Sequence, residues 1–199
     1  MAITSVVREA YQSVQDDLVR LAQQGDASAF GRLIHGRLSR LHASAVLIVR
    51  NPELGQDAVQ EALIHAWRDI PGLRDPARLD AWLHRLLVRE CYRVARHHRR
   101  RSVVEVAVIF DDEAVAPTGE LEGVVDRHDL ERALARLSPE HRAVLVLAYY
   151  ADLPLADVAA ALDIPVGTAK SRLSRAVDAF RAVAAADTRP HFPPRERVP

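Results

Sequence analysis

Residues 155–180 read LADVAAALDIPVGTAKSRLSRAVDAF, and this stretch decides the fold. Leu155, Val158, Ala159 and Leu162 recur at helical spacing and make one apolar face. Asp163-Ile164-Pro165 then turns the chain, with Ile164 placed to plug the gap between two helices. The second helix sorts its residues by side. Ala169, Leu173, Ala176 and Phe180 share one face, and Thr168, Ser171, Arg172 and Arg175 share the other. An apolar face that docks and a basic face that stays free is what a helix lying in the major groove of DNA requires. Gly167 and Thr168 fall in the first turn of that helix, where backbone N–H groups and the positive end of the dipole suit a phosphate. Lys170, Arg172 and Arg175 can reach phosphates or base edges, and Ser171 can do either more weakly. The helix carries no Asn or Gln, so the bidentate adenine contact is missing and reading by Arg, by apolar contact or by DNA shape remains. A helical hairpin that binds no DNA also has this outline.

Outward from the motif, the same periodicity recurs. A short helix fits 15–24, stopped by Gly25, and Asp26 can cap a second helix running to about Val49 on Phe30, Leu33, Ile34, Leu38, Leu41, Ala45 and Ile48. Asn51-Pro52 breaks the chain before a helix at 53–69, which buries Ala58, Ala62 and Trp67. PGLRDPARLD (71–80) is turn-rich, and a further helix covers 77–100. Residues 101–125 lose the pattern, although VVEVAVIF (103–110) could extend as a strand or docking segment. Four more helices fit 126–136, 139–150, 155–162 and 166–185, with Ser138-Pro139 as a cap followed by proline at the first helical position. The expected fold is all-α. Two small helical domains, 1–100 and 126–185, are joined by a flexible linker, 101–125, and followed by a disordered tail, 186–199, that carries four prolines.

Formal net charge is zero, so the total does not announce a nucleic-acid binder, but the distribution does. Residues 82–102 hold seven Arg against one acid, Glu90, whereas 103–129 hold eight acids against one base, Arg127. Arg85, Arg89, Arg93, Arg96 and Arg100 step by three or four and fall within a stripe of roughly 80° on one helix. Unpaired like charges at that spacing cost helix stability, and a phosphate backbone would remove the cost while releasing counterions. A solvated face paired with acids elsewhere in the fold explains the stripe equally well. Trp82 reads first as a core anchor and only second as a base-stacking platform.

Cys91 is the only cysteine, which excludes an internal disulfide. The start of the chain lacks a signal-peptide pattern and no run is long and apolar enough for a membrane span, so a cytoplasmic protein without membrane insertion is expected. The nine His are scattered, with no ligand spacing for a metal and no glycine loop for a nucleotide. Neither a cofactor nor an enzymatic reaction is expected.

Two segments carry a family likeness. Asp57-Ala58-Val59-Gln60-Glu61-Ala62, followed by Trp67 and by Ala81-Trp82-Leu83-His84-Arg85-Leu86, resembles region 2 of bacterial RNA polymerase sigma factors of the extracytoplasmic function type. Pro165-Val166-Gly167-Thr168-Ala169-Lys170-Ser171-Arg172-Leu173-Ser174-Arg175-Ala176 resembles the PxGTVKSRLxRA pattern of their region 4. The likeness covers about 18–100 and 125–185. It implies a dissociable initiation factor that binds the polymerase core at the beta-prime clamp and beta flap, reads promoter DNA and is held inactive by an anti-sigma factor. Carried over residue by residue, it places Asp57, Gln60 and Glu61 on the clamp and Thr168, Lys170, Ser171, Arg172 and Arg175 on the −35 element. The −10 element and melted strand fall to the 70–80 loop and the following helix, with Arg74, Arg78, Arg85, Arg89, Arg93 and Arg96. The acidic linker would thread toward the active-site channel.

The chain departs from the family at Arg89 and Arg93, where Asn and Asp are usual. Pro154 and Asp157 replace the usual capping box, and Asp163 replaces a common turn glycine. Two other functions compete. A helix-turn-helix regulator acting without polymerase leaves the first half without a task. A sigma-like interaction factor that has lost promoter activity accounts for positions 89 and 93.

Overall fold

A computed structural model describes residues 2–104 and 133–187. The linker, including VVEVAVIF, and the tail lie outside the described residues. The regular structure of the described residues is helical, with α1 (Ala2–Gln23), α2 (Ala27–His35), α3 (Leu38–Val49), α4 (Pro52–Asp69), α5 (Leu79–Val104), α6 (Pro139–Leu145), α7 (Leu155–Leu162) and α8 (Val166–Asp187). The all-α expectation is met, with α1–α5 forming one bundle and α6–α8 the other.

Local chemistry sets most of the boundaries. Gly25 has φ +92°, a conformation that L side chains rarely adopt, and it ends α1. The Asp26 carboxylate then accepts from Ser28 N–H at 2.8 Å and Ala29 N–H at 3.0 Å. Asn51 caps α4 through Leu54 N–H at 2.9 Å, and Ser138 caps α6 through His141 N–H at 3.2 Å. Pro154 opens α7 with no side-chain cap, and Asp163 closes it in the left-handed conformation, φ 55° and ψ 47°. A carboxamide or carboxylate side chain tolerates that conformation better than most.

Four expectations need correction, one being that Trp67, drawn as buried in α4, is 38% exposed. The single helix drawn from Asp26 to Val49 is two helices. Arg37 N–H donates to the Ile34 carbonyl at 2.8 Å and the axis turns. The Arg37 guanidinium holds the corner through the Leu33 carbonyl (2.8 Å), Gln15 (2.6 Å) and Asp80 (2.6 Å). Leu38, counted into the apolar stripe, is consequently 44% exposed. The first helix begins at Ala2, not at 15. The helix drawn over 139–150 widens after Leu145 into a π-helical turn, Val146–Tyr150, with Ala151 N–H bonded to the Val146 carbonyl at 2.8 Å. That turn buries Val146 and Leu147 and leaves Tyr149 facing out.

The two bundles meet directly. α5 packs against α7 and α3 against α6. One continuous apolar core runs from Leu33, Ile48, Leu83 and Leu87 to Val144, Leu147 and Val158. Inside the first bundle Gly55 of α4 sits close against Val46 of α3.

Candidate nucleic-acid interface

The helix-turn-helix is formed by α7 and α8. Val158, Ala159, Ala169 and Ala176 are buried between elements, with Leu173 packed at the edge of the core. Ile164 is half-buried, and its N–H returns to the Ala159 carbonyl at 3.0 Å. On the outer face Lys170, Ser171 and Arg175 are exposed, while Thr168 and Arg172 are half-buried. The Ser171 hydroxyl donates to the Thr168 carbonyl at 3.0 Å, and Arg175 Nε donates to the Ser171 carbonyl at 3.2 Å. These bonds pre-orient short and long side chains along one face.

Arg172 lies toward the other bundle. Its charge acts on Tyr92 of α5, whose hydroxyl is buried without a hydrogen-bond partner. Burial, with the negative charge of Glu140 nearby, pushes that phenol up to about 12 against the opposing effect of Arg172.

The 70–80 loop consists of two short 3-10 turns, Ile70–Gly72 and Pro76–Arg78. Two glutamines of α1 hold it, which the sequence reading missed. Gln15 Nε2 donates to the Pro76 carbonyl at 2.7 Å, and Gln23 Nε2 donates to the Leu73 carbonyl at 2.8 Å. Buried amides tying off loop carbonyls leave no periodic signal in a sequence. Arg74 and Arg78 are thereby fixed on the loop surface, both exposed.

The arginines of the α5 stripe do not share one set of partners. Arg78, just before the helix, pairs with Asp157 of α7, and Arg85 reaches Asp163 at 3.7 Å. Both acids belong to the helix-turn-helix, and Asp157 is available because it does not serve as a capping-box residue. Arg93 Nε donates to the Glu90 carboxylate at 2.5 Å, and Arg89 Nε at 3.3 Å. Arg96 Nε donates to its own helix at the Tyr92 carbonyl, 3.2 Å away, and stays exposed. Three of the stripe's arginines thus have acidic partners inside the protein.

Glu90 is the buried hub of this network, with its side chain only 3% exposed. Burial would raise its pKa, but the hydrogen bond and charge of Arg93, with His65 and Arg89, hold it below the ordinary carboxylate value. His65 of α4 stands 3.5 Å away. On α4, Asp57, Gln60 and Ile64 are exposed along one face with Glu61 half-buried. Ile64 is 53% exposed, an apolar residue set among charges. The T-shaped contact of Phe30 with Trp67, at 5.1 Å, braces the neighbouring side of the helix.

Among the described residues no group of three or more His, Cys, Asp or Glu is placed to hold a metal, and no helix is long and apolar enough to cross a membrane. Cys91 is fully buried, and burial with the adjacent Glu90 charge raises its thiol to about 12.

Comparison with known proteins decides the family. Residues 28–101 match the model of Sigma-70 region 2, and residues 127–179 match that of Sigma-70 region 4. The ECF RNA polymerase sigma factor SigM of Mycobacterium tuberculosis is 34% identical over 155 residues, covering 76% of this chain and 75% of the relative. This chain belongs to the extracytoplasmic function sigma factors. SigL of the same organism is 32% identical over 161 residues, spanning 80% of this sigma factor and 91% of the relative. Among solved structures, the sigma factor RpoE from Bartonella quintana, crystallised with the anti-sigma factor NepR, superimposes with a TM-score of 0.67. It is 28% identical and covers 79% of this chain and 98% of its own.

Proposed function

We propose that this sigma factor is a dissociable initiation factor with no chemistry of its own, which binds core RNA polymerase and directs it to promoters. The observation that carries the reading is the order of the two matched regions, with a basic reading helix on the second and an acidic clamp-type face on the first. Region 2, over 1–100, would hold the clamp with Asp57, Gln60 and Glu61 of α4. It would meet the −10 element and the opened strand with Arg74, Arg78, Arg85 and Arg96, Arg89 and Arg93 lying beside them on α5. Region 4, over 126–185, would read the −35 element with Thr168, Lys170, Ser171, Arg172 and Arg175 of α8. The stretch 101–125 would link them through the polymerase channel, in the cytoplasm where transcription proceeds.

The ion pairs Arg78–Asp157 and Arg85–Asp163 bear on how this works. Two arginines assigned to the −10 side are neutralised by carboxylates of the −35 module. Promoter phosphates would have to displace Asp157 and Asp163, so the bundles would part on the way to an open complex. The solved complex of a related sigma factor with an anti-sigma protein makes such an inhibitor a natural further partner. The test mixes the full chain with core polymerase and genomic DNA and maps transcript starts. Shared −35 and −10 sequences upstream of those starts support the reading. Duplex DNA binding that is indifferent to polymerase would replace it with a plain helix-turn-helix regulator, and polymerase binding without transcription with an interaction factor.

A further inference from the structure

We infer that Glu90 is a positioning residue that turns Arg89 and Arg93 away from DNA and onto the acidic face of α4, where they form part of the surface that grips core polymerase. This rests on the proposed function of the chain and assigns a task to two of the positions at which it departs from its family.

The geometry runs along two antiparallel helices in contact, α4 and α5. Glu90 projects from α5 at the edge of the arginine stripe, and its buried carboxylate takes Arg93 Nε at 2.5 Å, Arg89 Nε at 3.3 Å and approaches His65 Nε2 of α4 at 3.5 Å. A buried carboxylate without cationic partners is costly, so this one acts as an anchor that fixes both guanidinium groups. The anchored groups remain a little over half exposed, 57% for Arg89 and 54% for Arg93. Their outer surroundings belong to α4. The charges of Glu61 and Asp57 act on Arg93, and the charge of Arg89 acts on Asp69. Asp57 and Glu61 are two of the three residues assigned to the clamp.

α4 exposes Asp57 and Ile64 with Glu61 half-buried, and Arg89 and Arg93 stay exposed on the helix packed against it. Charges of both signs with an exposed aliphatic side chain on the same helix suit a protein-binding surface. The buried Glu90 carboxylate stays beside Arg89 and Arg93 and lowers their attraction for a phosphate. The occupant is the polymerase core, through a surface that offers acids to the two arginines as well as bases to Asp57 and Glu61. Arg96, exposed and bonded among the described residues to a backbone carbonyl alone, stays with the strand.

The experiment uses the full chain. Affinity for core polymerase is measured by titration, and the holoenzyme is then titrated with a short labelled single-stranded DNA across a range of salt. Arg89→Ala with Arg93→Ala should weaken core binding about tenfold and leave the DNA salt slope at its wild-type value. Arg96→Ala should leave core binding alone and flatten that slope by about 0.7. Glu90→Gln frees the two arginines, so core binding weakens while the slope steepens by about 0.7 for each one that finds a phosphate. A merely destabilised protein gives no steeper slope. The inference is overturned if the double alanine variant flattens the DNA slope and keeps its core affinity, or if Glu90→Gln moves neither quantity. A wild-type chain that ignores core polymerase overturns the functional reading as well, whereas one that binds it and is indifferent to these substitutions overturns this inference alone.

Discussion

Placing a methyl group on Gly55 probes the close approach of α4 to α3. A Cβ there would lie 2.9 Å from Val46 Cγ2, 3.1 Å from Val46 N and 3.3 Å from Val46 Cα. Ordinary carbon contacts begin near ~3.5 Å. Val46 cannot swing aside, because a β-branched residue in a helix has essentially one rotamer. The helices must therefore part, and overpacking of this kind costs about 1–3 kcal/mol. Gly55 is the fourth residue of α4, so alanine there returns at most about 1 kcal/mol over glycine. The balance is a loss of about 1 kcal/mol, or about 2–4 °C in Tm for a chain of this size. Calorimetry, with urea unfolding at unchanged m-value as a check, measures it. The sharper form is a cycle. In a Val46→Ala background the Cγ2 contact is gone while those to the backbone N and Cα of that position remain, so Gly55→Ala should cost less than in the wild type, with a coupling of about 1 kcal/mol between the sites. A rise in Tm on Gly55→Ala in the otherwise wild-type chain would show that α3 and α4 do not approach this closely, and the reasoning would fall.

Three more outcomes follow from the same structure. Arg172→Ala should weaken binding to −35 duplex about tenfold or more, and unchanged affinity at moderate salt removes that residue from the reading surface. Asp157→Asn with Asp163→Asn releases Arg78 and Arg85, so the free chain should bind duplex DNA of any sequence several-fold more tightly at low salt. That gain should fade as salt rises, and an affinity that does not move rejects the neutralising role of the two acids. His84 is buried with Nδ1–H bonded to the Asp80 carbonyl at 2.7 Å and Nε2 unpartnered. Burial lowers its pKa below 6.5, with Arg40 assisting and Asp80 opposing. The unfolded chain binds this proton more readily than the folded one, so stability falls as pH drops through about 6.5. Tm should decline less steeply between neutral and mildly acidic pH in His84→Gln, and parallel pH profiles would clear His84 of the effect.

The helices were legible wherever the signal was local. Asp26 and Ser138 announce helix starts because a cap is a bond between near neighbours in sequence, and Asn51, read only as a break, caps α4 in the same way. The docking face of α8, with Ala169 and Ala176 fully buried, follows from helical spacing alone. The corner at Arg37 was not legible, because apolar spacing continues across it while the partners that hold it, Gln15 and Asp80, lie 22 and 43 residues away in sequence. The arginine stripe taught the same lesson in charge. Its spacing is plain, but whether a guanidinium meets a phosphate or a carboxylate depends on Glu90, Asp157 and Asp163, and only the fold brings the last two within reach. Loop ties such as Gln23 to the Leu73 carbonyl have no period at all.

Cys91 gives the chain a built-in reporter. It is the only thiol in the sequence, it is fully enclosed, and its ionisation is suppressed by its surroundings. Reagents attack the thiolate, so an intact molecule is doubly protected from alkylation. Every labelled molecule is therefore one in which α5 has come away from its packing. The labelling rate counts such openings in the native population, without an added dye or an engineered residue, and its change when polymerase or an inhibitor is added would reveal which of them clamps the helix and which loosens it.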